Sequence, residues 1–320
     1  MTAIDDATLD AALAEAHLPA LLAALVHLTG DESLLSEAHR PTYVLMADNN
    51  SGGYPEAVQA ALRTRAKAAI RAHLAGAPMP PPPSGKTLRR MMDLVAGAEI
   101  PDHYAPFLLD ELNLDGVTTK TPDWSAPKLT AAAKRLHVIV IGAGMSGILA
   151  GIRLKQAGVD FTILEKNADV GGTWLENGYP GCRVDNPNHM YSYSFEPNHD
   201  FPQFYSTQPV LLDYFRRIAA KHDLRPRIRF ETEVTLAEFD EDRALWRIEA
   251  RRPDGAHATF EAQAIITAVG QLNRPRMPDI EGRESFAGPS FHSARWRHDV
   301  TLAGKRVAVI GTGASAYQFV

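Results

Sequence analysis

The sequence predicts an α/β chain. An all-α N-terminal extension is followed by a Rossmann-like, doubly wound parallel-sheet domain with an inserted β-hairpin, and then by the start of a second domain of the same kind. Three observations carry this prediction. Residues 1–130 are rich in Ala and Leu and space their apolar residues at a helical period. From 136, LHVIVIGAGMSGILAGIRLKQAGVDFTILEKN reads as strand, Gly-rich turn, helix and second strand, a βαβ unit that requires a parallel sheet. KRVAVIGTGASAYQFV starts that pattern again, and VIGAGMSG and VIGTGASA form an internal repeat.

In the extension, LDAALAEAHLPALLAALVHLTG predicts an amphipathic helix pair, broken near Pro19 and ended at Gly30. YPEAVQAALRTRAKAAIRAHLAGAP predicts a second long helix, with Pro55 near its start and Gly76 past its end. PMPPPPSG is a stiff extended connector, because successive prolines cannot continue a helix. More helix is expected over 86–113, and TTKTPDWSAPK reads as a linker. A homodimer through these helices and a plain structural extension are both open readings.

Beyond the βαβ unit, RIRFETEVTLAEFDEDRALWRIEARRPDGAHATFEAQAIITAVG predicts a strand and a hairpin turning at Pro253-Asp254-Gly255. A buried strand over Ala264–Val269 closes this run. The expected divisions are 1–130 for the extension, 131–270 for the first α/β domain, 271–303 for a linker and 304–320 for the opening of the second domain. The chain stops about one turn into the second helix, before a crossover can close, so it reads as the front part of a longer protein.

Composition narrows the function classes. With 320 residues, 45% hydrophobic and 22% charged, the chain is an ordinary globular sequence long enough for two domains or more. A net charge of −5 gives no basic excess for nucleic acid or an anionic membrane. The single cysteine, Cys182, rules out an internal disulfide, a CxxC redox pair and a cysteine-rich zinc site, and points to the reducing cytoplasm. No stretch approaches the ~20 apolar residues of a membrane span. The acidic N-terminus lacks the basic n-region of a secretory signal.

Gly142, Gly144 and Gly147 meet the GxGxxG requirement after a strand and at the opening of a helix. They serve the tight turn, the backbone's approach to a pyrophosphate and close helix–strand packing. Ala143, Met145 and Ser146 belong to the same turn, where helix N–H groups and the dipole favour phosphate. Glu165 falls roughly 20 residues on, where a carboxylate accepts from a ribose hydroxyl, and Lys166 is taken with it. The alternative is a tight turn in an ordinary α/β domain; strand, helix and acid together favour a dinucleotide.

The next stretch, EKNADVGGTWLENGYPGCRVD, resembles the class B flavoprotein monooxygenases, and within them the Baeyer–Villiger monooxygenases. Their GG(T/V)W…N.YPG…D segment matches Gly171 to Trp174, Asn177, Tyr179-Pro180-Gly181 and Asp185. FYSTQPVLLDYFRRIAAKHDL and AVGQLNRPRMPDIEG also look like that family. In FAGPSFHSARWR, Phe286, Gly288, His292 and Trp296 fit its FxGxxxHxxxW fingerprint in place. Arg297 stands where Pro or Asp is usual, and Ser293 where Thr is common. The related N-oxygenating enzymes carry Phe or Tyr at the Trp296 position. A helical extension of this length resembles the 4-hydroxyacetophenone monooxygenase group.

The resemblance implies FAD and NADPH as cofactors, and O2 and a ketone, an aryl ketone by subgroup, as substrates. The product is an ester or lactone formed through a flavin peroxide. It places Gly172, Thr173, Trp174, Arg183, Val184, Asp185, Tyr191 and Val234 at the flavin. Gly311, Thr312, Gly313, Ala314, Ser315 and Ala316 bind NADPH. Among the catalytic positions Asp185 orients charge, His292 couples NADPH placement to the flavin, and Trp296 anchors the linker. Each keeps a plainer alternative: Asp185 as an N-cap or loop residue, HMYSYSF around Tyr191 as a packed aromatic strand, His292 as a structural hydrogen bond. The family's cationic Arg has no match in these residues, so the 320-residue chain alone is expected to turn over no ketone. Two other functions stay open: an N- or S-oxygenating flavin monooxygenase and a non-catalytic FAD-binding fragment. A dithiol flavoprotein reductase is excluded by the lone cysteine.

Overall fold

Capping chemistry sets the helix boundaries of the extension. In the computed structural model, which describes residues 4–45, 47, 49–112, 122–124, 131 and 133–320, α1 spans Asp6–Glu15 and α2 spans Leu18–Thr29. Asp5 accepts the Thr8 N–H at 2.7 Å to open α1. The break falls at Ala16–His17, and Pro19 sits inside the first turn of α2, where its missing N–H is no loss. Helix α3 (Glu56–Leu74) follows Pro55, and its Arg63 donates to the carbonyls of Leu13 and Ala14 at 3.0 and 3.3 Å, satisfying the C-terminus of α1. The helix expected over 86–113 is two helices, α4 (Gly85–Ala96) and α5 (Ala105–Leu112), parted at Gly97. Leu18, Leu22, Leu25, Leu34 and Leu62 form a buried core, each worth about 1.5–3 kcal/mol of transfer energy. Residues 78–83 of PMPPPPSG form no regular element, while its Ser84 caps α4 and its Gly85 opens it. Most of TTKTPDWSAPK lies outside the described residues.

The chain divides into two compact units, Met1–Pro122 and Asp123–Val320. In the second, β1 (His137–Ile141), α6 (Met145–Gln156) and β2 (Asp160–Leu164) form the expected βαβ unit, with His137 in register with Asp160. Next come α7 (Thr173–Glu176), α8 (Gln208–Lys221), β3 (Ile228–Arg229) and β4 (Glu233–Asp240). Then follow β5 (Leu245–Arg251), β6 (His257–Ala262), β7 (Ala264–Thr267) and α9 (Ala314–Phe319). The parallel sheet runs β3-β2-β1-β7, and β4-β5-β6 form an antiparallel sheet. Alternation sorts the strand residues by face. Val138, Val140, Phe161 and Ile163 pack with the α6 and α8 side chains, whereas Ile139 and Leu164 pack with Ile248 and Ala262 of the antiparallel sheet.

Three expectations change. The inserted hairpin is a three-stranded meander: a turn at 241–244 precedes the expected one at Pro253-Asp254-Gly255. The buried strand over 264–269 is shorter and half-exposed, with Val269 at 49%, because among the described residues β7 is the edge of its sheet, paired with β1 alone. The strand expected before the second glycine motif does not form. A strand exists only as part of a ladder, and among the described residues none pairs with 305–310, where Ile310 is 69% exposed. Among the described residues, no helix is long and apolar enough to cross a membrane.

Candidate functional site

The site is built on the turn from β1 into α6. Gly144 opens α6 with no side-chain cap, so the first-turn N–H groups of Met145, Ser146 and Gly147 have no side chain to satisfy them from the N-terminal side. Gly147 lets the helix descend onto the turn: a Cβ there would stand 1.9 Å from the Gly142 carbonyl oxygen. A second loop meets this turn backbone to backbone. Gly171 N–H donates to the Ala143 carbonyl at 3.1 Å, and Gly172, with φ +55°, approaches Gly144 so closely that a Cβ would come within 2.9 Å of its Cα. No side chain from either glycine intrudes between the turn and the GGTW loop.

Glu165, at the end of β2, is 3% exposed. Its Oε2 accepts the Ala143 N–H at 2.6 Å, and its Oε1 accepts the Asn167 backbone and side-chain N–H groups, both at 2.8 Å. Three of its roughly four acceptor positions are therefore occupied. Thr232 N–H donates to the Glu165 carbonyl at 2.8 Å, which sets Val234 of β4 two residues further on. Lys166 turns to Glu176 Oε1 at 2.9 Å and Asn273 Oδ1 at 2.8 Å.

In the GGTW loop, the Thr173 hydroxyl accepts from Asn177 Nδ2 at 3.1 Å. Trp174 is buried, and its indole N–H donates to Tyr191 OH at 3.1 Å with the rings edge to face. HMYSYSF forms no strand. Its Tyr191 is half-buried, and its Tyr193 is buried with the hydroxyl donating to the Met145 carbonyl. Val184 is buried, Arg183 pairs as a lone antiparallel bridge with Thr207, and Asp185 is exposed, with the Asn186 side chain 3.4 Å away. No helix starts at Asp185, so it caps none. Cys182 is buried, and burial pushes its thiol up.

His292 opens a short 3₁₀ turn, Ser293–Arg295, its Nδ1 accepting the Ala294 N–H at 3.0 Å; the neutral ring is thus protonated on Nε2. Trp296 packs between Phe291 and Phe319, with centroids 5.3 and 5.2 Å away, while Phe286 points to solvent. Arg297 pairs with Asp299. In the second motif, Gly311 and Thr312 form the turn and Gly313 opens α9 through Ala314, Ser315 and Ala316. This helix docks on the YPG loop: Tyr179 OH bonds to Ser315 Oγ at 3.0 Å and Gln318 Oε1 at 2.9 Å.

The structure therefore brings the first glycine turn, the GGTW loop, Glu165, Trp296 and the second glycine motif into one unit. The sequence reading missed Asn167, Glu176 and Gln318. Glu176, its side chain 13% exposed, takes Lys166, Asn167 Nδ2 at 3.0 Å and Arg295 at 3.7 Å, tying the GGTW loop to the fingerprint segment. Only the apolar-to-acid switch at the end of TWLE hinted at it.

A family model described as flavin-binding monooxygenase-like matches residues 133–320, more than half of the chain. An uncharacterized monooxygenase of Sinorhizobium fredii is 36% identical over 310 residues, 97% of this chain and 46% of that protein. A Baeyer-Villiger monooxygenase of Streptomyces coelicolor is 45% identical over 188 residues, 58% of this chain and 35% of that one. The crystal structure of an OTEMO complex with FAD and NADP aligns with a TM-score of 0.53 and 39% identity, covering 57% of this chain and 36% of its own. Cyclohexanone monooxygenase from Rhodococcus sp. Phi1, bound to NADP+, aligns at 0.50 and 37% identity, covering 57% and 35%. The chain spans less than half the length of these relatives. The family model's match lies within the Asp123–Val320 unit, and the chain belongs to the flavin-binding monooxygenase-like family.

Proposed function

We propose that the protein is a Baeyer–Villiger monooxygenase that uses FAD, NADPH and O2 to convert ketones, aryl ketones by its subgroup, to esters or lactones. The close approach of the Gly172 backbone to Gly144 beside the open N-terminus of α6 carries this reading, because it brings the GGTW loop against the glycine turn with no side chain at Gly172 between them. The residues fit FAD. The first-turn N–H groups of α6 would hold the pyrophosphate, and Glu165, which orders the turn through Ala143, would offer its remaining acceptor position to a ribose hydroxyl. Thr173, Trp174, Arg183, Val184, Tyr191 and Val234 line the rest, and residues 131–270 form the FAD domain.

FAD, when bound, would supply the chemistry that side chains lack, hydride acceptance from NADPH and transfer of one atom of O2, the other leaving as water. The chain's own residues place it. Asp185, exposed at the end of the YPG loop, orients charge at the reacting centre. His292, with Nδ1 engaged by its own turn, presents the Nε2 proton, and Trp296 locks the 271–303 linker against Phe319 of the nicotinamide-binding segment, 304–320. The aryl-ketone reading rests on the helical extension, whose length resembles that of the 4-hydroxyacetophenone group; the Sinorhizobium relative spans the same extension in its 97% match. The single cysteine supports a cytoplasmic location.

Incubation of the full-length protein with FAD, NADPH and an aryl ketone tests the reading. Ester formation supports it. Oxidation of amines or sulfides without any ketone oxidation, the property of the N- and S-oxygenating enzymes, contradicts it.

A further inference from the structure

We propose that Tyr179 and Gln318 are positioning residues that couple the two dinucleotide sites, so that filling one tightens the other. The proposal rests on the flavin and nicotinamide reading above. Gln318 uses its whole carboxamide on the YPG loop. Its Oε1 accepts from Tyr179 OH at 2.9 Å and from the Arg183 N–H at 3.2 Å, and its Nε2 donates to the Arg183 carbonyl at 3.0 Å. One side chain thereby pairs with both backbone groups of a single residue, as a neighbouring strand would. Gly181 clears the way, since a Cβ there would stand 2.1 Å from the Gln318 carbonyl oxygen. Phe319, the next residue, closes the contact with its ring 5.8 Å from Tyr179 and 5.2 Å from Trp296.

Sequence separation gives this contact its meaning. Gln318 lies 135 residues from Arg183, at the end of a six-residue helix whose start is the second glycine motif. A helix of that length is about 9 Å long and moves as one piece. Its first turn carries the second glycine motif, the proposed nicotinamide site, while its last turn holds the backbone of Arg183 that leads into Val184 and Asp185, the proposed flavin positions. The latched arrangement suits both sites, and release of the latch loosens both. A ligand that favours the latched arrangement at either end tightens binding at the other by the same factor.

The test uses the full-length protein and measures the dissociation constant of NADP+ by calorimetry, in the FAD-free and FAD-loaded forms. The wild type is expected to bind NADP+ about tenfold more tightly when loaded, within the usual span of such couplings. Gln318→Met and Tyr179→Phe are each expected to bring that ratio to about one, and the double variant to go no further, as for residues acting through one contact. Tyr179→Phe removes a single oxygen and carries the test if Gln318→Met fails to fold. A wild-type ratio of one, or a tenfold ratio persisting in the variants, overturns the latch while leaving the functional reading standing. A wild type that binds neither FAD nor NADP+ overturns both.

Discussion

A Cβ placed on Gly172 would stand 2.9 Å from the Cα of Gly144, although 28 residues separate the two in the chain (172 − 144). The turn into α6 and the GGTW loop are thus held at a separation that requires glycine at 172. Gly172→Ala adds both this clash and a left-handed alanine at φ +55°, together about 2–5 kcal/mol. We expect FAD affinity to fall at least about thirtyfold, read by flavin fluorescence, with the far-UV spectrum unchanged. Gly85→Ala, where a Cβ meets nothing within 4 Å, is the control: neutral, or stabilising by up to about 1 kcal/mol.

Glu165 ties the turn to the end of β2 through Ala143 and Asn167. Glu165→Gln puts an NH2 group where one of these donors needs an acceptor. It is expected to destabilise the apoprotein by about 1–3 kcal/mol, measured by urea denaturation, and to weaken FAD binding as well. Unchanged stability would mean that the buried carboxylate is not holding the turn.

Acid is expected to loosen the Asp123–Val320 unit through two carboxylates. Burial pushes Asp169 up, but Arg225, the Val170 N–H and Arg216 together outweigh it and hold the carboxyl below 3.8. Glu196 is likewise raised by burial, and Lys221 and His222 bring it below 4.5. Both values are depressed in the folded state, so the stability they contribute is complete above the ordinary values and lost as pH falls through the depressed ones. Melting temperature followed from pH 7 downward should fall only below about 4.5 from these groups, and Asp169→Asn should flatten that fall.

In the extension, Leu22 is fully buried, and Leu22→Ala is expected to cost about 2–5 kcal/mol, seen as a lower melting temperature. FAD retention should be unchanged, because the glycine turn and its partners all lie in the other unit. Leu45→Ser, at a position 91% exposed, should change stability by no more than about 0.5 kcal/mol.

What the sequence showed and what it hid divide along contact range. The βαβ unit was legible because its signals are local: an apolar run over 137–141, glycines at the turn, and an acid one residue after Leu164. The turn at 241–244 that joins β4 to the hairpin went unread, and the alternation that marks β4 breaks at the register shift between Val234 and Leu236. The strand over 305–310 has the right residues, but strands are made by partners, which composition does not report. Gln318 and Glu176 were invisible for the same reason: their partners lie in segments that only the fold brings to them. The fingerprint was legible only through family resemblance; the plainer alternative for His292 was a structural hydrogen bond, and its Nδ1 does accept one from the Ala294 N–H.

The most direct test of the central claim is the fate of oxygen. Full-length protein loaded with FAD is supplied with NADPH, 18O2 and an aryl methyl ketone, and the product is analysed by mass spectrometry. An aryl ester carrying one 18O in its bridging position is the result this account predicts. A protein that retains FAD and consumes NADPH yet yields no labelled ester would contradict it.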